Sequence, residues 1–178
     1  MNLFFRLLVV YVRALLSRDR LDMLDASRLR YRVWLTDQDM FAHMTNSRYM
    51  SFGDLGTINY ILRAGFWPVL RRRGWFPVIC AQQVVITRML RTPQKFDLVT
   101  RIVGWDETYV AIEHTYERQE VVHARLRVIA RFASQDRTAV LTDDVMRAMA
   151  FDHQSPPLPA PFQQLIADIR ASRAQDKP

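Results

Sequence analysis

Four consecutive runs of alternating apolar and polar residues constrain the fold of this chain more than any other feature. The runs span residues 77–90, 96–105, 109–118 and 121–134, and only short turns separate them. Strands joined by such short turns pair most simply as antiparallel hairpins, with one face on the core and the other towards solvent or a partner. The sequence therefore predicts a sheet that is mostly antiparallel.

One long helix precedes these strands and needs a surface against which to bury its apolar side. Residues 29–35 alternate like a first strand, and the chain becomes helical from Ser47, with an aromatic face punctuated by Gly53 and Gly56. Each glycine costs a helix about 1 kcal/mol relative to alanine, so we expect both to permit close packing against the sheet. Space for a ligand is the alternative. The predicted fold is α+β, with a curved antiparallel β-sheet wrapped around the long central helix and extra N- and C-terminal helices.

The size of the chain fits a single domain with terminal additions. It has 178 residues, of which 49% are hydrophobic, enough for one well-buried core. We predict an amphipathic N-terminal helix in residues 1–20, the main domain in residues 25–150, and a Pro-rich linker with a final helix in residues 151–178. A short helix capped by Thr142 closes the main domain. The final helix carries an apolar stripe of Phe162, Leu165, Ile166 and Ile169.

The N-terminal segment is almost wholly apolar but has a thin polar stripe. At 100° per residue the stripe consists of Asn2, Arg6, Arg13 and Ser17. The segment is short for a membrane span, which needs about 20 apolar residues. It also lacks the small-residue cleavage site of a signal peptide, because charged residues follow the apolar run.

We expect this helix to lie in a membrane interface, where anionic headgroups would bind four arginines: Arg6, Arg13, Arg18 and Arg20. A helix packed on its own domain or on a dimer partner is the second interpretation, and a true span is the third. The net charge of +7 comes almost entirely from arginine and is equally consistent with an uninformative basic surface. No aromatic-interleaved basic motif indicates nucleic acid. The expected location is the cytoplasm, with peripheral contact to the inner face of the membrane.

The segment DQDMFAHMTNSRY at residues 37–49 lies between the first strand and the central helix. Together with the layout above, it resembles the hotdog-fold thioesterases of the 4-hydroxybenzoyl-CoA thioesterase type, within the acyl-CoA thioesterase superfamily. Members commonly carry D-x-D-x-x-G-H-V-N-N-A-x-Y at this place. The likeness covers residues 25–150. The apolar N-terminal segment looks most like the thioesterase-superfamily-member-6-like group.

The resemblance implies an acyl-CoA thioesterase that hydrolyses a thioester to a carboxylic acid and free CoA. It assigns the catalytic carboxylate to Asp39, either as the base that activates water or as the nucleophile. The oxyanion donor is a backbone N–H near Asn46, whose alternative role is that of a plain helix cap. His43 orients the loop or contacts substrate, or else forms structural hydrogen bonds within the loop. We expect Asp37 to hydrogen-bond the turn that follows it.

Substrate-binding residues follow from the same resemblance. Tyr49 and Phe52 are expected in the core or as pocket lining. Coenzyme A carries phosphates, for which the candidate ligands are Arg71, Arg72, Arg73, Arg88 and Arg91. No metal or cofactor is expected, apart from the coenzyme A of the substrate. Hotdog sheets usually pair across a two-fold axis, so we expect a homodimer or homotetramer with active sites at the junction.

Two residues depart from the family pattern. Ala42 replaces a glycine, and alanine would be strained by about 1 kcal/mol if that glycine has positive φ. Thr45 replaces the first asparagine of the asparagine pair. These departures leave two alternatives to hydrolysis: a catalytically silent acyl-CoA-binding or membrane-associated scaffold, and a hotdog enoyl-CoA hydratase or dehydratase.

Overall fold

The computed structural model describes residues 3–17 and 19–175. Asn2 and Arg18, which we assigned to the N-terminal helix and its basic end, lie outside the described residues. The elements in chain order are α1 (Leu3–Leu16), β1 (Ser27–Arg32), α2 (Asn46–Arg63), α3 (Phe66–Arg73), β2 (Trp75–Ile86), β3 (Lys95–Trp105), β4 (Val110–Arg118), β5 (Val121–Ser134), β6 (Ala139–Val140), α4 (Thr142–Ala148) and α5 (Ala160–Gln175).

The strands form one antiparallel sheet, as the alternating runs predict. Its order is β1-β3-β4-β5-β2, and the short strand β6 pairs with the C-terminal end of β5, at Phe132 and Ala133. In the register of β1 against β3, Ser27 lies opposite Thr100 and Arg32 lies opposite Lys95. The prediction for residues 29–35 is wrong at its C-terminal end, because a 3-10 turn at Leu35–Asp37 replaces the last part of that strand. The α+β class is confirmed.

Helix α2 packs closely on the sheet through its glycines. A Cβ atom on Gly53 would overlap the side chain of Leu126, and one on Gly56 would lie 3.0 Å from Leu98 and 3.2 Å from His114. These neighbours come from β3, β4 and β5, so the helix crosses three strands. Close packing, rather than space for a ligand, explains why glycine occupies both places.

Helix α1 packs against α2 with Arg6 of its polar stripe turned inward, whereas Arg13 of the same stripe is exposed. Arg6 is only 2% exposed and is buried together with Val10 and Ala14. The expectation that Arg6 binds lipid headgroups is therefore wrong, since the protein itself surrounds the guanidinium. The second interpretation, a helix packed on its own domain, describes the structure.

The chain divides into two compact units, each assembled from three stretches of sequence. The first unit comprises Met1–Phe66, Val84–Arg101 and Glu113–Leu126, and the second comprises Trp67–Gln83, Ile102–Ile112 and Arg127–Pro178. The strands β2, β3, β4 and β5 each begin in one unit and end in the other. The predicted ranges 1–20, 25–150 and 151–178 stay a prediction.

The second unit contains the C-terminal helix. Phe162 and Ile166 of α5 are buried, and Leu165 and Ile169 pack against the same cluster, so the predicted stripe is confirmed. The expectation that Thr142 is the N-cap of the short helix α4 is wrong by one residue. Leu141 is the N-cap of α4, and Thr142 is its first helical residue.

Candidate active site

The segment before α2 folds into a small hairpin. Gln38 pairs with Met44 across an antiparallel bridge, and the N–H of Asp39 donates to the carbonyl of His43 at 2.9 Å. The tip of this hairpin projects from the protein, because Met40 is 90% exposed and Phe41 is 73% exposed. The sequence motif therefore forms an ordered turn that ends in two apolar side chains.

The carboxylate of Asp39 holds this turn from within. Its Oδ1 accepts the backbone N–H of Phe41 at 2.9 Å and that of His43 at 3.3 Å. An aspartate that accepts backbone N–H groups two and four residues ahead fixes both the loop and its own side-chain orientation. Asp39 is exposed, so its carboxylate is fixed in direction and accessible from solvent.

Ala42 has the backbone conformation that its glycine counterpart in the family pattern implies. Its φ is +60°, in the left-handed region that disfavours a side chain bearing Cβ. The strain of about 1 kcal/mol expected for alanine therefore applies to this turn. The hairpin retains its hydrogen bonds nonetheless, including one of 3.1 Å from the Ala42 N–H to the Asp39 carbonyl.

Helix α2 begins immediately after the hairpin. Thr45 is the N-cap and Asn46 is the first helical residue, so the alternative role of Asn46 as the cap is wrong. The Thr45 hydroxyl makes no capping hydrogen bond and instead pairs with the Ser47 hydroxyl at 3.2 Å. The first N–H groups of a helix lack intrahelical partners and carry partial positive charge, and here the cap side chain does not cover them.

Asp37, the first aspartate of the motif, is fully buried and serves the structure. Its Oδ2 accepts the Trp34 N–H at 2.9 Å and the Arg6 guanidinium at 2.5 Å. Arg48 approaches Oδ1 at 3.4 Å, and the Asp37 carbonyl accepts the Thr45 N–H at 3.0 Å. The expectation that Asp37 bonds the turn following it is wrong for the side chain, which binds the preceding turn and α1.

His43 lies beside Arg91, one of the arginines predicted to bind the phosphates of coenzyme A. It forms an antiparallel bridge with Arg91, and the neighbouring Met44 N–H donates to the Leu90 carbonyl at 2.8 Å. The Nε2 atom of His43 is buried and has no hydrogen-bond partner within residues 3–17 and 19–175. A buried imidazole nitrogen without a protein partner is suited to a water molecule or a ligand atom.

Tyr49 and Phe52 are completely buried, so the structure places both in the core. The Tyr49 hydroxyl accepts the Leu90 N–H at 3.4 Å, and burial raises its pKa. The Phe52 ring lies 5.2 Å from that of Phe96 and 4.6 Å from the Arg6 guanidinium carbon. These contacts are packing contacts, and they anchor the start of α2.

The predicted phosphate ligands fall into two groups. Arg88 and Arg91 are exposed in the first unit, and the bridge brings Arg91 next to His43. The other three, Arg71, Arg72 and Arg73, are exposed in the last turn of α3, which belongs to the second unit. Cations in the last turn of a helix are stabilised by its dipole, and Arg73 also lies 5.6 Å from the ring of Trp75.

Sequence reasoning missed two titratable groups, one in α2 and one packed against it. Asp54 is the one acidic residue of this helix; its side chain is exposed, and partial desolvation raises the pKa of its carboxyl group. His114 is fully enclosed and contacts the hydroxyl groups of Thr100 at 2.9 Å and Thr57 at 3.4 Å. Burial lowers its pKa to about 3, so the imidazole is neutral. A single acidic residue in a largely apolar helix was the available signal for Asp54, whereas no local pattern marks His114.

Comparison with known proteins supports the expected family. Residues 33–166 match the family model described as Thioesterase-like superfamily. Protein THEM6 of Danio rerio is 31% identical over 113 residues, which make up 64% of this chain and 56% of that protein. The chain therefore spans little more than half the length of this relative.

Solved structures share the fold at low sequence identity. The YbaW probable thioesterase of Escherichia coli superimposes with a TM-score of 0.65 at 11% identity, over 70% of this chain and 96% of that one. Slr0204 of Synechocystis, a 1,4-dihydroxy-2-naphthoyl-CoA thioesterase, superimposes with a TM-score of 0.60 at 8% identity, over 72% of this chain and 97% of that one. The fold is thus the hotdog fold, as predicted, and the chain belongs to the Thioesterase-like superfamily.

Proposed function

We propose that this protein is an acyl-CoA thioesterase in which Asp39 is the catalytic carboxylate. The observation that carries the proposal is the fixed, solvent-accessible orientation of Asp39, whose Oδ1 accepts two backbone N–H groups in the turn before α2. Family membership supports thioester hydrolysis, and the named Synechocystis relative of the same fold acts on a CoA thioester. The products would be a carboxylic acid and free CoA.

Hydrolysis requires attack on the thioester carbonyl and stabilisation of the oxyanion that results. As a base, Asp39 takes a proton from water while the oxygen bonds to the carbonyl carbon; the C–S bond then breaks and the thiolate is protonated. As a nucleophile, it attacks the carbonyl carbon and the C–S bond breaks, which releases the CoA thiolate and leaves a mixed anhydride; water then cleaves the anhydride to the carboxylic acid and regenerates the Asp39 carboxylate. The N–H groups at Asn46 and the start of α2 supply partial positive charge, and one such donor typically contributes about 10²- to 10³-fold in turnover.

His43 and the exposed arginines complete the proposed substrate site. The partnerless Nε2 of His43 can bind water or a substrate atom, and Arg91 beside it can bind a coenzyme A phosphate. Arg88 is a further candidate in the first unit. We extend the phosphate role to the α3 arginines Arg71, Arg72 and Arg73 on their charge and exposure alone.

We also propose that the protein assembles as a homodimer or homotetramer. Exposed apolar side chains on the hairpin tip support this, since Met40 and Phe41 directly follow the proposed catalytic residue. The sheet-edge strand β2 also exposes Phe76, Ile79 and Val85. Size-exclusion chromatography with light scattering should give at least twice the mass of one chain, and Phe41→Glu should lower it. A monomeric wild type would refute this proposal.

A panel of acyl-CoA substrates tests the proposed activity on wild type, Asp39→Asn and Asp54→Asn in parallel. Asparagine keeps the Oδ1 acceptor that holds the turn, so Asp39→Asn should fold normally and lose about 10²-fold or more in kcat. Asp54→Asn tests whether the carboxylate of Asp54, rather than that of Asp39, is required for hydrolysis. If Asp39→Asn hydrolyses the whole panel as fast as wild type, Asp39 is not the catalytic group.

The strained Ala42, together with the N-terminal helix, supports one competing function, a silent acyl-CoA-binding or membrane-associated scaffold. Such a protein would bind acyl-CoA in calorimetry without releasing free CoA. Measuring enoyl-CoA hydration on the same preparations covers the hydratase alternative. If the protein binds acyl-CoA but hydrolyses no substrate of the panel, the scaffold function replaces the thioesterase proposal.

A further inference from the structure

Helix α1 presents an apolar face outward, on the side opposite the rest of the first unit. Arg6, Val10 and Ala14 face inward and are buried. The outward face exposes Phe5, Leu8, Tyr11, Val12, Leu15 and Leu16. Within residues 3–17 and 19–175, no helix is long and apolar enough to cross a bilayer.

The buried ion pair between Arg6 and Asp37 explains this unusual orientation of α1. An amphipathic surface helix ordinarily buries its apolar side and leaves its charges in water. Here the buried carboxylate of Asp37 binds the Arg6 guanidinium, and the ring of Phe52 lies beneath it. Because Arg6 is bound internally, the outward face of α1 consists of apolar side chains.

The outward face of α1 is a single strip of apolar side chains from one helix. The helix has 14 residues, so this strip is roughly 21 Å long, and six large apolar side chains along it are 39–76% exposed. A stable protein interface buries about 800 Å² on each partner. A bilayer surface has no such minimum, since a helix in its plane needs only to bury one apolar face among the headgroups.

Positive charge accompanies the apolar face. Arg13 in the last turn of α1 and Arg20 just after the helix are both exposed. Cations at the edge of an interfacial helix add attraction to anionic lipids. Apolar area and charge thus point to the same class of partner.

We propose that α1 docks flat on an anionic lipid bilayer through its outward apolar face, while Arg6 remains paired with Asp37. The helix is then a rigid part of the protein surface rather than a tether. Lipid contact comes from leucine and aromatic side chains, with Arg13 and Arg20 beside the headgroups. This mode differs from the one expected from the sequence, in which Arg6 itself binds headgroups.

Co-sedimentation of the full chain with vesicles tests this docking surface. Vesicles of phosphatidylcholine with phosphatidylglycerol are compared with vesicles of phosphatidylcholine alone, using wild type and the double variant Leu8→Glu with Leu15→Glu. The matched control is Val121→Glu with Leu141→Glu, which adds the same charge at exposed apolar residues elsewhere. We expect wild type to prefer the anionic vesicles, and the α1 variant to lose at least about tenfold in partition coefficient. The control should lose less than twofold.

Three outcomes overturn the proposal. They are absence of wild-type binding to anionic vesicles, equal losses in the two double variants, and an α1 variant that binds like wild type. Light scattering on the same samples identifies a protein partner, because loss of a dimer in the α1 variant without wild-type vesicle binding would make this face a subunit interface. Circular dichroism must show that both variants are folded. Substitution is preferable to deletion of α1, which would strip Asp37 of its buried counter-ion.

Discussion

The guanidinium of Arg6 donates to the carboxylate of Asp37 across 2.5 Å, and neither side chain is accessible to solvent. This pair connects α1 to the turn that precedes Asp39, across 31 residues of sequence. Because Asp37 also accepts the Trp34 N–H, the same carboxylate fixes the entry to the candidate active site. Helix α1 is therefore structurally coupled to the hairpin.

Breaking this pair from one side should destabilise the protein strongly. Asp37→Ala leaves the Arg6 charge buried without a partner, and we expect the free energy of unfolding in urea to fall by about 3–5 kcal/mol. Asp97→Ala is the control, since Asp97 pairs with the exposed arginines Arg28 and Arg30. That change should cost at most about 1 kcal/mol. Similar losses in the two variants would contradict the structural role of the buried pair.

Replacing Ala42 with glycine should stabilise the hairpin. Glycine adopts a φ of +60° without the steric cost that alanine pays there. We expect the free energy of unfolding to rise by about 0.5–1 kcal/mol in chemical denaturation. Ala171→Gly, on the exposed side of α5, should instead lower it by about 1 kcal/mol. A loss of stability in Ala42→Gly would show that the turn is not strained.

The buried His114 should make stability depend on pH. Its folded pKa is lowered by burial to about 3, whereas an unperturbed histidine has a pKa of 6.5. Below about pH 6.5 the unfolded chain therefore binds a proton that the folded protein excludes. Its contribution to stability is fully present above that pH and is lost as the pH falls towards 3.

Urea titrations between pH 7 and pH 4 measure this effect in wild type and His114→Gln. The wild-type free energy of unfolding should fall more steeply than that of the variant, by up to about 1.4 kcal/mol per pH unit. His153→Gln, at an exposed histidine, should keep the wild-type slope. Parallel curves for wild type and His114→Gln would mean that His114 titrates normally in the folded protein.

Removing Arg91 should weaken binding of substrates that carry phosphates. Loss of one charge-assisted hydrogen bond in Arg91→Gln should raise KM for an acyl-CoA about tenfold, with kcat nearly unchanged. An acyl-pantetheine, which has no phosphate, should show no such rise. Arg147→Gln on α4 supplies the matched loss of an exposed arginine. An equal rise in KM for both substrates would exclude phosphate recognition by Arg91.

Periodic hydrophobic patterns correctly predicted the strands and helices whose buried residues recur at regular spacing. The run at residues 121–134 coincides with β5, and the predicted face of α2 is the buried one, because alternation and helical spacing directly record burial. The strand predicted through residue 35 ended at Arg32 instead. The buried side chain of Asp37 accepts the Trp34 N–H and stabilises a 3-10 turn, which apolar alternation does not reveal.

The orientation of α1 was beyond a local reading of the sequence. Its spacing correctly predicted an amphipathic helix, but which side faces inward depends on Asp37, far along the chain. The segment before α2 was predicted only as a loop, and the family glycine that Ala42 replaces drew attention to the residue that has positive φ in the structure. The enclosure of His114 depends on residues from other elements, including Thr57 and Thr100, and no single stretch of sequence records it.

The division of β2, β3, β4 and β5 between the two units affects how the chain can be synthesised and dissected. Neither unit is a continuous stretch of sequence, so no truncation yields one of them intact. On a ribosome, the first unit lacks its last strands until Leu126 has emerged, and by then most of β5 is still to be made. The first unit therefore forms only when its three separate stretches of sequence come together. Contacts between residues far apart in sequence favour slow folding late in translation.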